Sequence, residues 1–307
     1  MNSYKLKRGI KEPLYGINYL LKRFSKYITN DKLYLSLRWF TVTHRFINWK
    51  NPLRFTEKLQ WIKVYYRKPE LTKMVDKVEA KKYVASIIGE QYIIPTIAEW
   101  NNAEDIDFDI LPNQFVLKCN HDSGTGMCIC KDKSKLDYFK VKQELKKGLK
   151  SDYYYISREW PYKNVKRKVF AEKFMDGGES PDLTDYKWYC FNGQPVYCQV
   201  IENRSTKETI DFFDINWNHQ DFIGLNPRAV HASVLPARPK NLEKMLEIAT
   251  KLSNGLPFAR IDLYEIDSRV YFGEITFFPG GGFGKFRPKN MDIELGKLLI
   301  LPPKGFI

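Results

Sequence analysis

Apolar and polar positions along this chain change period repeatedly, and the changes predict helices mixed with antiparallel strands. Leu59, Ile62 and Tyr66 recur at helical spacing after Asn51-Pro52-Leu-Arg-Phe-Thr56, which predicts a helix with Thr56 as its N-cap. A second helix is predicted over 71–88, closed by Gly89, a third over about 135–149, and a fourth over 240–252. Short apolar runs predict strands at 93–98, 114–119, 127–130 and 168–175. Two strands flanking Asn192-Gly193 read as a hairpin, because Asn-Gly suits the left-handed backbone of a tight two-residue turn. A second hairpin is predicted from 258–266 and 270–277, with Asp267-Ser268-Arg269 as a three-residue turn. The many hairpins make the class α+β rather than a doubly wound parallel sheet.

The last hairpin carries the most informative chemistry. With three residues in the turn, Asp262 lies opposite Glu274 and Arg260 opposite Thr276, so all four side chains share one face. A two-residue turn would put the carboxylates on opposite faces. Two opposed carboxylates in an apolar hairpin repel unless a cation lies between them. Mg2+ suits such a pair, since it takes hard oxygen ligands and leaves room for substrate phosphates. By itself the hairpin also admits a plain reading, scattered acids on a solvated surface.

Length and composition bound the rest. At 307 residues with 43% hydrophobic content, the chain can bury more than one core. Two or three lobes are expected. The net charge is +14, and residues 1–50 hold eleven Lys/Arg against only Glu12 and Asp31. That arm interleaves basic with aromatic and aliphatic residues, as a helical surface facing anionic headgroups or an anionic lipid-linked substrate would. It equally fits a basic helical pair packed on the body. Zinc-finger spacing and an aromatic RNA-binding consensus are both lacking, so nucleic acid is not an expected partner. The sequence offers neither a secretory leader nor a run of about eighteen apolar residues, and the expected location is cytoplasmic. Five cysteines read as reduced thiols, with Cys128-Ile-Cys130 half of a zinc site at most.

Between two predicted strands lies Lys118-Cys-Asn-His121-Asp-Ser123-Gly124-Thr125-Gly126. Small residues there can turn backbone N–H groups toward phosphate oxygens, with Lys118 adding positive charge. This is not a Walker A loop, because the glycines follow the lysine and lead into a strand. An ordinary hairpin loop is the alternative, with His121 as a hydrogen-bonding residue rather than a catalyst.

Taken in order, Asp76-Lys77, Lys118 with its Gly/Ser loop, Glu172-Lys-Phe-Met175, Arg260-x-Asp262 and Glu274-x-Thr276 before Pro279-Gly280 resemble the ATP-grasp superfamily. Phe55-Thr-Glu-Lys-Leu-Gln-Trp61, Ile88-Gly-Glu-Gln-Tyr-Ile-Ile-Pro95, Phe115-Val-Leu-Lys-Cys-Asn-His121, Asp185-Tyr-Lys187 and Tyr271-Phe-Gly-Glu-Ile-Thr-Phe277 look like its teichuronopeptide-biosynthesis, or TupA-like, group, over about residues 33–301. The resemblance implies two α+β lobes gripping ATP between antiparallel sheets, in a chain divided into a basic helical arm (1–50), a helical region (51–113), a small lobe (114–175) and a large lobe with the metal hairpin (176–307). It implies that Lys77 and Lys118 contact phosphates under the loop of Ser123, Gly124, Thr125 and Gly126. Glu172, Lys173, Phe174 and Met175 would line the adenine, with the main chain of Lys173 and Met175 reading its edge and Glu172 or a neighbouring acid taking the ribose. Asp262, Glu274 and Thr276 would hold Mg2+, with Glu274 bridging two ions. Thr276 stands where many relatives have Asn. Arg260, the N–H of Gly280 and Lys187 would be the catalytic groups.

The implied reaction is ATP-dependent carboxylate–amine ligation through an acyl phosphate, in capsule, O-antigen or teichuronic-type polysaccharide synthesis. The expected substrates are an anionic glycan or uronic acid and an amine, with Lys187, Arg204, Arg228, Lys285 and Arg287 as candidate carboxylate binders. A glycosyltransferase is the competing reading, although Asp105-Ile-Asp107-Phe-Asp109 reads as an acidic loop rather than a nucleotide-sugar motif. A sugar or small-molecule kinase would use the same ATP site without an acyl intermediate.

Overall fold

In the computed structural model, residues 12–121, 124, 126–177, 182–226 and 228–303 are described. Ser123 and Thr125 of the expected phosphate loop, and the first eleven residues of the basic arm, lie outside them. In chain order the helices and strands are α1 (Pro13–Arg23), α2 (Asp31–Thr43), α3 (Phe55–Tyr65), α4 (Glu70–Val75), α5 (Glu79–Ile88), β1 (Thr96–Trp100), β2 (Phe115–Cys119), β3 (Met127–Cys130), α6 (Tyr138–Lys150), α7 (Tyr153–Ser157), β4 (Val169–Lys173), β5 (Asp185–Phe191), β6 (Gln194–Glu202), β7 (Thr209–Asp214), β8 (His219–Gln220), β9 (Ile223–Leu225), α8 (Leu242–Ser253), β10 (Phe258–Ile266), β11 (Arg269–Thr276), β12 (Lys285–Arg287) and α9 (Met291–Leu298). The α+β class holds.

Two antiparallel sheets carry the architecture. One has the order β1-β4-β2-β3, the other β11-β10-β5-β6-β7-β8, and β12 pairs with β9 in a small ribbon. Each has its own apolar core. Leu117, Val169 and Ala171 of the four-stranded sheet pack with Val141 and Leu145 of α6. The larger core joins Trp188, Ile261 and Ile275 of the six-stranded sheet to Leu59 and Ile62 of α3 and to Met245, Ile248 and Leu252 of α8. All seven residues of β5 are buried, as expected of a strand covered on both faces. β1 belongs to the four-stranded sheet although it precedes residue 114, where the small lobe was expected to begin.

Three sequence expectations change. Thr56 lies inside α3; Arg54 occupies the N-cap, and Thr56 donates its N–H and hydroxyl to Asp292. The single helix expected over 71–88 is two, broken at Asp76. Asp76 Oδ1 accepts the N–H of Val78 and the amide of Asn120, both at 2.9 Å, and the N–H of Lys77 donates to Asn120 O at 3.0 Å. Short polar side chains stop helices in this way, by offering the backbone a local partner. The break pins Lys77 beside the end of β2.

The third change concerns the metal hairpin. Asp267 and Ser268, at φ +50° and +59°, form a two-residue turn in which Ile266 pairs with Arg269. Continued without interruption, that register would set Gly273 opposite Asp262 and send Glu274 to the other face. A bulge between Asp262 and Leu263 takes up Gly273, so Asp262 pairs with Glu274 and Arg260 with Thr276. The expected face forms, by a different route. A Cβ at Gly273 would lie 2.9 Å from Tyr264 Cε2 and 3.0 Å from the carbonyl oxygen of Asp262. Gly273→Ala should therefore destabilise the fold by about 1–3 kcal/mol, measured by urea unfolding; an unchanged midpoint would show that the bulge tolerates a side chain.

Candidate active site

The site lies between the two sheets. Two adjoining cavities of about 240 and 430 Å³ share Lys118, Glu172, Asp185, Arg204 and Tyr264 as walls. The narrower one is lined by Lys77, Lys81, Gly124, Gly126, Lys187, Asp262 and Glu274. The wider one is lined by Lys173, Phe174, Met175, Asp176 and Asp182.

On the six-stranded sheet, pairing of β5, β10 and β11 places Lys187 next to Asp262 and Asp262 next to Glu274. Arg260 donates to both oxygens of Asp262 at 2.7 Å, to Glu274 Oε1 at 3.2 Å and to Thr276 Oγ1 at 3.1 Å. Lys187 Nζ reaches Asp262 Oδ2 at 2.5 Å and Asp185 Oδ1 at 3.1 Å, and Arg204 Nε reaches Asp185 Oδ2 at 2.7 Å. The cations that balance the opposed acids are thus the protein's own. Burial raises the Asp262 carboxyl, against Arg260 and Lys187. Burial also acts to raise Glu274, but Lys77, Lys187 and Arg260 outweigh it and hold that carboxyl at about 2. Asp262 is buried, whereas the Glu274 side chain is 40% exposed. Glu274 therefore keeps an ionised, accessible carboxylate toward the cleft.

On the four-stranded sheet, Glu172 is buried between two lysines. Lys118 Nζ pairs with its Oε1, and Lys81 Nζ with Oε2 at 2.7 Å. Burial acts to raise the Glu172 carboxyl, and the charges of Lys118 and Lys81 bring it below its ordinary value. Glu172 thus holds two cations at the cleft, and Asp176, Asp182 and Asp185 are further acids on the wider cavity. Gly126, just before β3, is seated closely on α6: a Cβ at Gly148 would lie 2.6 Å from Gly126 Cα.

Other candidates fall elsewhere. Gly280 lies on a turn beyond Thr276 and is not among the residues lining either cavity, while its carbonyl accepts the N–H of Phe283. His121 is buried, with Nε2 3.1 Å from Ser151 O, as a structural residue would be. Arg228 is exposed away from the cleft. Lys285 and Arg287 line a third cavity of about 660 Å³, together with Arg45, Arg54, Lys289, Trp39 and Phe286. Among the described residues, none of those five Lys/Arg side chains is ion-paired with a carboxylate.

Sequence reasoning passed over Lys81, which follows Lys77 by four residues, and the two α3 side chains that hold the glycine turn. Gln60 Nε2 donates to Gly282 O at 2.6 Å, and buried Lys63 donates to Gly281 O at 2.6 Å and Ser157 O at 2.7 Å. The motif from Phe55 to Trp61 is visible in the sequence; the contact of Gln60 with Gly282, 222 residues downstream, is not.

The family profile described as TupA-like ATPgrasp matches residues 57–300, a stretch holding both carboxylate faces and the cleft. This chain belongs to the TupA-like ATP-grasp family. No curated protein matches it. Among solved structures, a D-alanine–D-alanine ligase from Bacillus anthracis is 21% identical, with 68% of this chain aligned to 58% of that one at a TM-score of 0.40. The Helicobacter pylori D-alanine–D-alanine ligase is 15% identical over 75% of this chain and 60% of that one, also at 0.40. The ATP-grasp ligase PsnB, complexed with a minimal precursor, is 12% identical over 72% and 60%, at 0.37. This TupA-like chain thus spans less than two thirds of those structures, and likeness at that level carries no argument about its substrates.

Depression of the Glu274 carboxyl has a measurable consequence. A group of this kind contributes stability above its unfolded value, and the contribution is lost as pH falls through the folded value. The difference in Tm between wild type and Glu274→Gln should therefore shrink as pH falls from about 4.5 to about 2. A difference independent of pH across that window would remove the electrostatic account.

Proposed function

We propose that this protein is an ATP- and Mg2+-dependent carboxylate–amine ligase of bacterial surface polysaccharide synthesis. It would join an amino acid or similar amine to the carboxylate of an anionic glycan. The observation that carries this reading is the cleft itself: an acidic face of Asp262 and Glu274, with the Thr276 hydroxyl beside Glu274, across from Lys118, Lys81 and Lys77, in a chain of the ATP-grasp family.

The residues fit Mg2+. Asp262, Glu274 and the Thr276 hydroxyl offer hard oxygens on one face, and Glu274 is both ionised and open to the cleft. Both Asp262 oxygens are engaged by Arg260 and Lys187, so Glu274 is the readier ligand. Bound there with nucleotide, Mg2+ would neutralise charge on the transferred phosphoryl group.

In the proposed reaction a substrate carboxylate oxygen attacks the γ-phosphorus of ATP. The bond from that phosphorus to the β–γ bridging oxygen breaks, giving ADP and an acyl phosphate. The amine then attacks the carbonyl carbon, the C–O bond to phosphate breaks, and amide, phosphate and a proton result. Lys118 and Lys77 would hold the phosphates, and Arg260 would meet charge on the transferred group. The backbone of Lys173–Met175 offers hydrogen-bonding edges to the adenine at the wider end. The cavity lined by Arg45, Arg54, Lys285, Arg287 and Lys289 supports an anionic co-substrate, with Trp39 and Phe286 supplying faces for a sugar ring. The chain runs from Thr276 through Pro279–Gly282 into that cavity's wall. No helix among the described residues is long and apolar enough to cross a membrane. Exposed Ile17, Leu20 and Phe24, set among Lys22, Arg23 and Lys26, support peripheral association with the inner face of an anionic membrane.

The test is ADP release with Mg2+ and ATP across uronic-acid glycans, with and without amino acids, adding hydroxylamine to capture acyl phosphate. Carboxylate-dependent ADP with a hydroxamate is the expected result; ADP with a phosphorylated sugar and no hydroxamate would replace the ligase by a kinase. With an active pair in hand, Arg54→Ala/Arg287→Ala should raise the KM for the glycan about tenfold or more and leave MgATP affinity unchanged. An unaltered glycan KM would move the acceptor site elsewhere.

A further inference from the structure

Away from the cleft, several buried carboxylates have no Lys or Arg ion pair among the described residues, and one of them is held by two histidines. Asp211 on β7 is completely buried, and no Lys or Arg pairs with it among the described residues. Its partners are two imidazoles and one backbone N–H. His219 Nε2 lies 3.0 Å and His231 Nδ1 2.8 Å from the same Oδ1 atom, while Oδ2 accepts the N–H of Ala232 at 3.0 Å. A buried carboxylate is costly unless its charge is compensated, and neutral imidazoles supply only hydrogen bonds.

Three separate stretches of chain converge to build this cluster. β7 contributes Asp211, β8 contributes His219 by pairing it with Phe213, and His231 follows Val230, whose carbonyl accepts the N–H of Ile210 at 3.0 Å. The ring centroids of His219 and His231 are 5.0 Å apart and the planes cross at 76°, so both rings can aim a nitrogen at one point. The three ligand atoms lie within 4.8 Å of one another.

We propose that Asp211, His219 and His231 bind a first-row divalent cation, with Zn2+ the best match. Two imidazole nitrogens and one carboxylate oxygen form a borderline donor set that suits Zn2+ and leaves a position for water or another ligand. Mg2+ prefers hard oxygens, so the two proposed cation sites differ in chemistry. The Ala232 N–H orients Asp211, as outer hydrogen-bond donors orient metal-ligating carboxylates. Ala229 O accepts a hydrogen bond from Arg287 at 3.2 Å, so a cation fixing His231 would brace the wall of the basic cavity. The proposal is independent of the ligase reading.

The experiment is equilibrium dialysis of the full chain against Zn2+ in excess Mg2+, with metal analysis, in a Cys128→Ser/Cys130→Ser background. One Zn2+ per chain is expected, with affinity lowered about a hundredfold in a folded His219→Gln/His231→Gln variant. Equal binding by that variant, or no stoichiometric binding by the parent, would overturn the site. Should the double variant fail to fold, Co2+ bound to the parent decides. Ligand-field bands of nitrogen and oxygen ligation that weaken in His231→Gln support the site, and bands unchanged in His231→Gln, or no bands at all, defeat it.

Discussion

The pairing of Asp262 with Glu274 across β10 and β11 is the constraint on which the rest of the site depends. Two carboxylates on adjacent strand positions repel, and in a partly buried setting the repulsion is screened less than in water. The protein offsets it with Arg260 on the same strand as Asp262, Lys187 from β5 and Lys77 from the break between α4 and α5. The result is asymmetric. Asp262 is buried and fully engaged, whereas Glu274 is strongly ionised and open to the cleft. One acid anchors the cations, and the other remains available to a ligand.

The opposite wall uses the same device with the signs reversed. Buried Glu172 holds Lys118 and Lys81 at the mouth of the narrower cavity. Cations kept on a carboxylate in this way would be pre-positioned for the phosphate oxygens of the proposed nucleotide, with little reorganisation. Glycines allow the close approaches that bring these walls together: Gly148 lets α6 press against Gly126, and Gly273 makes room for the register shift that aligns the acids.

Some local chemistry is legible in the sequence where partners lie near each other along the chain. The Asn192-Gly193 hairpin has the expected turn, with both residues at positive φ, and Arg260, Asp262, Glu274 and Thr276 share a face as read. The turn length was misread and the face still came out right, because the bulge at Gly273 restores the register that a two-residue turn would have broken. A glycine between two strand residues marks such a bulge only once the pairing is known. The ion pairs of Glu172 with Lys118 and Lys81 are not legible in the sequence, since Lys81 is 91 residues away in the chain. The grip of Gln60 and Lys63 on the glycine turn, and the meeting of Asp211 with His219 and His231, are likewise products of tertiary packing. Neither leaves a periodic trace.

The proposed function requires ATP to bind this cleft through a cation held on the β10–β11 acids. Calorimetric titration of ATP, with Mg2+ and then with EDTA, checks this when wild type is set beside Asp262→Asn/Glu274→Gln. Wild type should bind tightly only with Mg2+, and the variant should lose that dependence. Affinity equal with and without Mg2+ in wild type would rule the cation out.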